Sequence, residues 1–391
     1  MIGCGAADFL ITKEAISAIA DAKIFFGSER LILEYAKEKI SYAIYKPCEI
    51  IKKIIDSKEE KFAILVSGDT GFYSAANNIA KDSAQIEDCN LTFIPGISSV
   101  QIFFARLKLA WQDAAFFSAH GRPACGIVSM VRRKRFVFCL TGNNTKLIAQ
   151  ALCNAGFHNI EVCVGENLSL ANENIFWTNV QNLLTCELSS LCVLLFKNDA
   201  PSSSVRFGIP DTEFVRGENI PMTKSEVRAV VMSKLSVAPD DVCWDIGAGT
   251  GSITVEMALA AWQGTVYALE KEQSAIPLIK ENCRKFHLGN VNIICGKAPQ
   301  DLTDLPPPNL VFIGGSSGTT KEIINAARTK NINVRIVITS ISIETTSAVI
   351  ASFPDSNIVQ IAASHYKKIG GSTMLIANNP ITIITLGNTC E

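Results

Sequence analysis

The sequence predicts an α/β protein of two domains, and three observations lead to this prediction. The chain has 391 residues, and at about 150 residues per domain this length suggests two domains or three. β-rich runs alternate with stretches of helical periodicity, as in parallel sheets that are covered by helices. Several of these runs end in glycine-rich loops, so we expect a cleft at the carboxyl ends of the strands.

The composition excludes several classes of protein. Hydrophobic residues make up 48% of the chain, charged residues 19%, and the net charge is −1, so no global field attracts nucleic acid or an anionic membrane. No apolar run approaches about 18 residues, and no signal peptide is recognisable at the N-terminus. The 13 cysteines form no Cys-x-x-Cys pair and there are 4 histidines, which indicates reduced thiols and no metal site. The sequence predicts a soluble, cytoplasmic protein without metal, nucleic-acid or membrane partners.

A break in periodicity between Lys197 and Lys224 marks the predicted domain boundary. Proline, glycine and serine recur through this segment, and neither strand nor helix patterns continue across it. We therefore place the two domains at residues 1–200 and 215–391.

In the first domain, four β-rich runs come directly before glycine, proline or asparagine. They are FAILVSGDTGFYS (62–74), LTFIPGISS (91–99), FVFCLTGNNT (136–145) and IEVCVGENL (160–168). Each predicts a strand that ends at a loop, and together they predict a cleft that belongs to this domain.

In the second domain, the alternation of strand and helix is more regular. The predicted strands are Val242–Ile246, Thr265–Leu269, Val291–Cys295, Leu310–Ile313 and Arg335–Thr339. The predicted helices cover Ser252–Trp262, Gln273–Phe286 and residues 321–330. After Ser356 two more β-rich runs flank the turn KKIGGS, which predicts an antiparallel hairpin that closes the sheet.

The loop WDIGAGTGS (244–252) predicts a nucleotide-type ligand in the second domain. Its glycines, Gly247, Gly249 and Gly251, have G-x-G-x-G spacing after Asp245, whereas the dinucleotide fingerprint is G-x-G-x-x-G with a pyrophosphate at the helix N-terminus. S-adenosyl-L-methionine has no phosphate; an acid ahead of the loop can position its amino-acid end, and glycines let the backbone approach it.

A second acid supports a nucleoside in the same loop region. Glu270 ends the next strand, about 20 residues beyond the loop, where a carboxylate accepts ribose hydroxyl protons. NAD enzymes use an acid at this place too, so the preference for S-adenosyl-L-methionine depends on the glycine spacing and Asp245. An NAD(P)-dependent oxidoreductase and a tight turn without a ligand are the alternatives.

Short motifs along nearly the whole chain identify a family by their order and spacing. In the second domain they are PMTKSEVRA (221–229), DIGAGTGSITVEMA (245–258), ALEKE (268–272), GKAP (296–299), LVFIGGS (310–316) and GGSTMLIANNPITII (370–384). In the first they are IGCG (2–5), VSGDTGFYS (66–74), PGISSVQ (95–101), SAHGR (118–122), LTGNNT (140–145) and GEN (165–167). The first domain resembles the tetrapyrrole (corrin/porphyrin) methylase family. The second resembles the decarboxylating precorrin methyltransferases of cobalamin biosynthesis.

The resemblance implies both folds and an activity. It implies a two-lobed tetrapyrrole-methylase fold, followed by a Rossmann-like class I methyltransferase fold. It further implies an enzyme that uses S-adenosyl-L-methionine to methylate a corrin-ring precursor at carbons 5 and 15 and to decarboxylate the acetate on carbon 12. It assigns no catalytic residue, and analogy with related single-domain proteins allows a homo-oligomer.

The resemblance also implies the residues of two separate sites for S-adenosyl-L-methionine. The site in the second domain, to which the loop spacing adds Asp245, comprises Thr223, Gly247, Ala248, Gly249, Thr250, Gly251, Glu270 and Ala298. The site in the first domain comprises Gly3, Gly5, Gly68, Asp69, Ser98, Ser99, Leu140 and Thr141.

The start of the first domain departs from the pattern of the family. Only Met1 and Ile2 precede Gly3, and Ala7 occupies the place of the third glycine. We expect the natural start to lie upstream of Met1. The alternatives are a first domain that lacks this strand, which leaves only the carbon-15 methylation and decarboxylation, and a first domain that is a non-catalytic scaffold.

A corrin precursor carries many carboxylates, so basic residues near the motifs are candidates for binding it. These are Arg106, Lys108, Arg122, Lys224, Arg228, Lys367 and Lys368. His120 and His365 are candidate proton donors. A solvated charge is the alternative interpretation of each cation, and a structural hydrogen bond is the alternative for each histidine.

Overall fold

The computed structural model describes residues 1–57, 59, 61–83, 86, 89–121, 123–315 and 318–387, without the side chain of Asp8. The chain forms two compact units. The first unit comprises Met1–Arg122, Arg135–Thr145 and Ile160–Lys197, and the second comprises Pro123–Lys134, Lys146–Asn159 and Asn198–Glu391. Both units combine helices with sheets, which confirms the predicted α/β class. Among the described residues, no helix is long and apolar enough to cross a membrane.

The part of the chain up to Lys197 contains nine described strands and eight α-helices. The strands are β1 (Ile2–Gly3), β2 (Ile24–Phe26), β3 (Ile40–Tyr42), β4 (Phe62–Val66), β5 (Ala115–Ser118), β6 (Phe136–Leu140), β7 (Glu161–Glu166), β8 (Asn174–Asn179) and β9 (Cys192–Lys197). The helices are α1 (Lys13–Asp21), α2 (Glu29–Tyr35), α3 (Pro47–Ile55), α4 (Ala76–Ser83), α5 (Ser99–Leu107), α6 (Gly126–Arg133), α7 (Thr145–Asn154) and α8 (Val180–Leu183).

These strands form two sheets, as a two-lobed fold requires. The first is parallel, in the order β1-β4-β2-β3, and the second is mixed, in the order β5-β6-β9-β7-β8. Strand β2 is buried on both faces, because Phe25 packs into one apolar cluster while Ile24 and Phe26 pack into another. A strand that is buried on both faces is typical of a parallel sheet.

The first strand is present but short. Ile2 and Gly3 pair with Leu65 and Val66 of β4, and Ile2 also forms a bridge with Ile94. The domain therefore does not lack this strand, contrary to one of the alternatives. The predicted strand in LTFIPGISS is wrong, because only the isolated bridge at Ile94 forms there. Strand β1 supplies two residues to this ladder.

The second unit contains one large sheet. Its strands are β10 (Val242–Ile246), β11 (Thr265–Glu270), β12 (Val291–Cys295), β13 (Leu310–Ile313), β14 (Arg335–Ser340), β15 (Asn357–Ile361) and β18 (Ile381–Leu386), and a separate hairpin contains β16 (Ser364–Ile369) and β17 (Ser372–Ala377). Besides α6 and most of α7, the described α-helices of this unit are α9 (Ser225–Leu235), α10 (Ser252–Ala260), α11 (Ile276–Lys285), α12 (Thr320–Lys330) and α13 (Ile343–Ser352). The predicted strands and helices of this region are thus confirmed to within a few residues at their ends.

The order of the large sheet creates a crevice. The strands lie in the order β12-β11-β10-β13-β14-β18-β15, and β10 to β14 are parallel. The chain proceeds from β10 outward to β11 and β12, then returns to the other side of β10 with β13. The strand order thus reverses between β10 and β13, and the loops after these two strands run in opposite directions. Ligands bind at such a switch point, in the crevice at the carboxyl ends of the strands.

The two β-rich runs after Ser356 do close the sheet in antiparallel fashion, as predicted, but each run divides into two strands. The turn KKIGGS joins β16 to β17, which form a two-stranded sheet of their own whose residues are all exposed. The strands that close the large sheet are β18, antiparallel to β14, and β15, antiparallel to β18. Ile383, Ile384 and Leu386 of β18 belong to the core clusters, whereas β15 has no buried residue and forms the edge of the sheet.

Candidate active sites

The second unit has a cavity of about 670 Å³ at the switch point of its sheet. The loops that follow β10, β11, β12 and β13 line it, and residues 218–223 provide a further wall. This volume lies within the range of small-molecule sites. Of the residues predicted for this site, those that line the cavity are Thr223, Gly247, Ala248, Gly249, Glu270 and Ala298.

The glycines after β10 allow the close approach of other backbone segments. A Cβ added to Gly247, at φ +76°, would stand 2.8 Å from the backbone N and O of Gly315. At Gly249, with φ +56°, it would stand 2.7 Å from the carbonyl oxygen of Pro221. Positive φ and these short distances both require glycine. The sequence assigned these glycines to a ligand; in the structure their lack of a side chain accommodates the protein's own backbone.

Glu270 connects this glycine loop to the next strand. Its side chain lines the cavity at the end of β11, although the residue is only 6% exposed. One carboxylate oxygen accepts the N–H of Gly249 at 2.8 Å, and the other accepts the N–H of Glu272 at 2.9 Å. A carboxylate oxygen can accept two hydrogen bonds, so each oxygen of Glu270 can still accept a hydrogen bond from a hydroxyl group of a ligand.

Asp245 lies behind the cavity, which corrects its predicted contact with a ligand. The residue is fully buried, and its Oδ2 accepts the hydroxyl hydrogen bond of Thr254. Its Oδ1 has no hydrogen-bond partner among the described residues. Thr250 and Gly251 are not among the residues that line the cavity either, because they turn into the start of α10. The site therefore presents the first part of the loop and hides the rest.

Asp245→Asn is expected to change how stability depends on pH. Burial raises the pKa of the Asp245 carboxyl from 3.8 to about 7, the Thr254 hydrogen bond opposes this rise, and nearby Glu270 adds to it. The protonated form of such an acid stabilises the folded state. This stabilisation is complete when the pH is below the pKa of the acid in the unfolded chain, and it is lost as the pH rises through the pKa in the folded protein.

Between pH 4 and pH 8, the free energy of unfolding of Asp245→Asn should therefore rise relative to that of the unmodified protein by roughly 4 kcal/mol. Urea unfolding at a series of pH values measures this difference. A difference that stays constant over the range would contradict the buried, protonatable carboxyl.

The wall opposite the glycine loop is a segment that we call the strap, residues 208–223. Three buried side chains anchor it. Glu256 accepts the N–H groups of Gly208 and Ile209 at 2.9 and 3.0 Å. Arg228 donates to Glu256 at 2.8 Å, to Asp211 at 2.9 Å, and to the carbonyls of Ile209 and Thr223. Asn282 holds the backbone of Val215.

The first unit has its own cavity, of about 430 Å³. Five of the residues predicted for this unit line it, namely Gly68, Ser98, Ser99, Leu140 and Thr141. Thr141 is 1% exposed and donates its hydroxyl to the carbonyl of Cys192 at 2.9 Å, so it ties the loop after β6 to β9. Burial raises the pKa of the Cys192 thiol to about 12, which leaves this residue of the cavity wall protonated and unreactive.

The other three residues predicted for this site do not line the cavity. Gly5 exchanges backbone hydrogen bonds with Gly68, at 3.2 and 2.9 Å. A Cβ on Gly3 would stand 2.6 Å from the backbone N of Gly96. Asp69 accepts the N–H groups of Gly71 and Gly96, at 2.7 and 3.1 Å. These residues shape the loops around the cavity instead.

Two polar residues, one that the sequence did not predict and one that it did, line this cavity. Arg30, at the start of α2, lines it and donates to Ser67 at 3.2 Å. Sequence reasoning missed Arg30, because an arginine on an amphipathic helix carries no local signal of its position. His120 also lines the cavity, and its Nδ1 lies 3.2 Å from Ser118 Oγ. The candidate histidine of the first domain is thus at a cavity.

Three of the basic candidates pair with carboxylates of the protein itself. Arg228 is fully buried, so the expectation that it binds substrate is wrong; its charge is needed beside Glu256 and Asp211. Arg106 pairs with Glu173, and Lys224 lies 3.6 Å from Asp211. Lys108 ends α5 in a left-handed conformation, and Lys367 and Lys368 lie on the exposed hairpin with His365, which is 3.6 Å from Glu226. Arg122 lies outside the described residues.

Two family descriptions match the chain in succession. The tetrapyrrole (corrin/porphyrin) methylases match residues 1–184, and the precorrin methyltransferase domain matches residues 214–387. Together the two matches leave only short parts of the chain uncovered, and their order is the order that the sequence motifs have.

Two relatives and one solved structure are similar to parts or most of this chain. A probable cobalt-precorrin-6B C(15)-methyltransferase (decarboxylating) of Saccharolobus solfataricus is 41% identical over 46% of this chain and 94% of its own length. The precorrin-6Y C(5,15)-methyltransferase [decarboxylating] of a Sinorhizobium species is 27% identical over 93% of this chain and 86% of its own length. The crystal structure of a precorrin-6Y C5,15-methyltransferase from Geobacter metallireducens is 35% identical over 46% of this chain and 96% of that one, with a TM-score of 0.43.

The fold, the cavity at the switch point and the relatives thus lead to one assignment. The chain belongs to the precorrin-6Y C(5,15)-methyltransferase (decarboxylating) family, in which a tetrapyrrole methylase domain is fused to a precorrin methyltransferase domain.

Proposed function

We propose that this protein methylates a corrin-ring precursor at carbons 5 and 15, with S-adenosyl-L-methionine as donor, and decarboxylates the acetate on carbon 12. We further propose that residues 1–200 carry the carbon-5 site and residues 215–391 the carbon-15 site. The observation that carries the proposal is Glu270, a nearly buried carboxylate that lines a cavity at the switch point and is fixed against a glycine loop. The relatives named above act on precorrins or cobalt-precorrins.

The charges around the cavity of the second unit fit this donor. Its charged lining residues are Glu218, Glu270, Glu272, Lys271 and Lys297, which is three carboxylates against two ammonium groups. Lys271 also lies 3.9 Å from Glu272. A surplus of carboxylates favours the positively charged sulfonium donor. It disfavours the pyrophosphate of a dinucleotide, so it supports the methyltransferase against the oxidoreductase.

Several residues of the second unit would hold the donor. The two oxygens of Glu270 can accept the ribose hydroxyl protons, and the backbone of Ala248 and Gly249 forms the floor. Thr223 and Ala298 line the cavity on either side of the loop. When bound, S-adenosyl-L-methionine supplies an electrophilic methyl group on a sulfonium.

The task of these residues is alignment rather than activation. The nucleophile is an electron-rich carbon of the macrocycle, and positive charge disperses as the methyl group moves. Holding two reactants in line contributes about 7–11 kcal/mol in the best-oriented systems. The strap and the glycine loop exclude water on two sides of the cavity. The ammonium group of Lys297, on the exposed side of the lining, can meet a substrate carboxylate.

In the first unit, the proposed site is the cavity that is lined by the loop after β4, the turn before α5 and the loop after β6. Gly68, Ser98, Ser99, Leu140 and Thr141 would contact the donor through backbone groups and hydroxyls. Arg30 is the charged group of the described lining that can meet a carboxylate of the macrocycle. His120, whose Nδ1 lies 3.2 Å from Ser118 Oγ, lines the same cavity and would be the proton donor of this site.

The test is a mass measurement on the full chain with labelled S-adenosyl-L-methionine and either a metal-free or a cobalt-containing precorrin. The expected product has gained two methyl groups and lost one carbon dioxide. Tight binding of NAD without binding of S-adenosyl-L-methionine, measured by calorimetry, would replace the proposal with an oxidoreductase.

Gly68→Val separates an active first domain from a scaffold. Gly68 lines the first cavity at φ +71°, which valine adopts only with strain. We expect the variant to add one methyl group where the unmodified protein adds two, while decarboxylation continues. Gly371→Val is the control, because a Cβ there meets nothing within 4 Å. Two methyl additions by Gly68→Val would support the scaffold instead.

A further inference from the structure

One buried side chain bonds the two segments that supply walls of the cavity in the second unit, through residues that do not line the cavity themselves. Asn282 lies in α11 and is 0% exposed. Its Oδ1 accepts the N–H of Val215 at 2.8 Å, and its Nδ2 donates to the carbonyls of Val215 at 3.0 Å and of Thr250 at 2.8 Å. Val215 belongs to the strap, and Thr250 belongs to the glycine loop. One amide group therefore bonds both segments.

We propose that Asn282 is a positioning residue, which sets the separation of the strap from the glycine loop and thereby the affinity for the methyl donor. This inference rests on the proposed function of the cavity. Asn282 does not line the cavity itself, so any effect on the donor must pass through the segments that it holds.

The strap and the glycine loop approach each other closely. Pro221 of the strap and Gly249 of the loop both line the cavity, and a Cβ on Gly249 would stand only 2.7 Å from the Pro221 carbonyl oxygen. A small displacement of the strap thus widens the cavity beside the backbone that forms its floor. A ligand that is held by backbone contacts is sensitive to such a change.

The other hydrogen-bonding anchors lie near the ends of the strap, while the neighbour of Val215, Phe214, packs into the core without bonding the glycine loop. Glu256 holds Gly208 and Ile209 at the beginning of the strap, and Arg228 holds Ile209 and Thr223 near its two ends. The middle of the strap, at Val215, is bonded by Asn282. Removal of the Asn282 amide should therefore loosen the middle of the strap while both ends stay attached.

The experiment compares Asn282→Ala with Asn290→Ala in the full chain. Asn290 is a matched control, because its Nδ2 also donates to two carbonyls, those of Ala258 and Ala261 at 3.1 and 2.8 Å, but it bonds neither the strap nor the glycine loop. Hydrogen exchange is measured without a ligand. Calorimetry is fitted with one donor site in each unit, and the site that remains in Gly68→Val gives the dissociation constant of S-adenosyl-L-methionine for the second unit. Steady-state kinetics give kcat for carbon-15 methylation at saturating donor.

For Asn282→Ala we expect the Val215 amide to exchange about tenfold faster or more, because it loses its acceptor. We expect the dissociation constant for the donor to rise about tenfold, while kcat stays within about twofold of the unmodified value. Asn290→Ala should leave exchange at Val215 and donor affinity unchanged.

Two outcomes would overturn the inference. Unchanged exchange at Val215 would show that Asn282 does not hold the strap. Faster exchange with unchanged donor affinity would show that it holds the strap without positioning the site. If the unmodified protein binds no S-adenosyl-L-methionine, the proposed function fails, and the exchange at Val215 still decides whether Asn282 couples the two segments.

Discussion

Gly249→Val is expected to abolish carbon-15 methylation and decarboxylation while the first site still adds its methyl group. The Cβ of valine would stand 2.7 Å from the Pro221 carbonyl oxygen, and φ is +56°, where a β-branched residue is strained. The loop must then move away from the strap, and the N–H of Gly249 loses its bond to Glu270. Both consequences fall on groups that line the cavity. The mass of the product, one methyl gain without loss of carbon dioxide, measures the effect.

Gly371→Val is the control for this substitution too. It introduces the same side chain in the same unit, at a position where a Cβ has open space and φ is not positive. The control should keep both methyl additions and the decarboxylation. Ordinary carbon-15 methylation by Gly249→Val would mean that the cavity of the second unit is not the site of this reaction.

Arg228→Met is expected to lower the free energy of unfolding of the second unit by about 3–5 kcal/mol. Arg228 and Glu256 are both 0% exposed, and their side chains are 2.8 Å apart. Without the guanidinium, Glu256 remains as a buried charge, and the carbonyls of Ile209 and Thr223 lose their donors. Asp211 loses less, because Arg216 and Lys224 lie at 3.5 and 3.6 Å. Exchange of the amides of β10 in the full chain measures the stability of this unit.

Arg206→Met is the matched control, because Arg206 forms an exposed pair with Glu213 at 3.2 Å. Exposed ion pairs contribute about 0–1 kcal/mol. In addition, Arg228→Met combined with Glu256→Gln should recover part of the loss, since the double variant removes the unpaired charge. A loss below about 1 kcal/mol for Arg228→Met alone would contradict the importance of this buried pair.

The sequence predicted best those elements whose signal is local. Strands β10, β12 and β13 have the predicted bounds, because each is a short apolar run that is followed by glycine or by a change of sequence pattern. Thr223, Glu270 and Ala298, which the family resemblance implied, are brought together at one cavity. The antiparallel closure at the C-terminus was predicted, but the division of each run into two strands was not, because four segments of similar β-propensity follow one another.

The contacts of the site could not be predicted, because they join residues that are distant in the sequence. Asn282 has an ordinary place on a helix, and nothing near it indicates that its amide reaches Val215, 67 residues earlier. Asp245 has the position of a ligand-binding acid in the loop pattern, yet β10 directs it into the core. Arg228 resembles a surface cation until the strap covers it. In each case tertiary packing decides the role of the residue, and the hydrophobic periodicity of the sequence does not indicate this packing.

The glycines that touch other backbone segments also restrict how this protein can change during evolution. A side chain that clashes with another side chain can be tolerated after the neighbour becomes smaller. A Cβ on Gly247 would clash with the backbone of Gly315, and a Cβ on Gly3 would clash with the backbones of Gly68 and Gly96. These neighbours have no side chain that a second substitution could make smaller. A selection for suppressors of substitutions at Gly3 or Gly247 should therefore return glycine at the original position, and compensating changes at the neighbouring glycines should be absent.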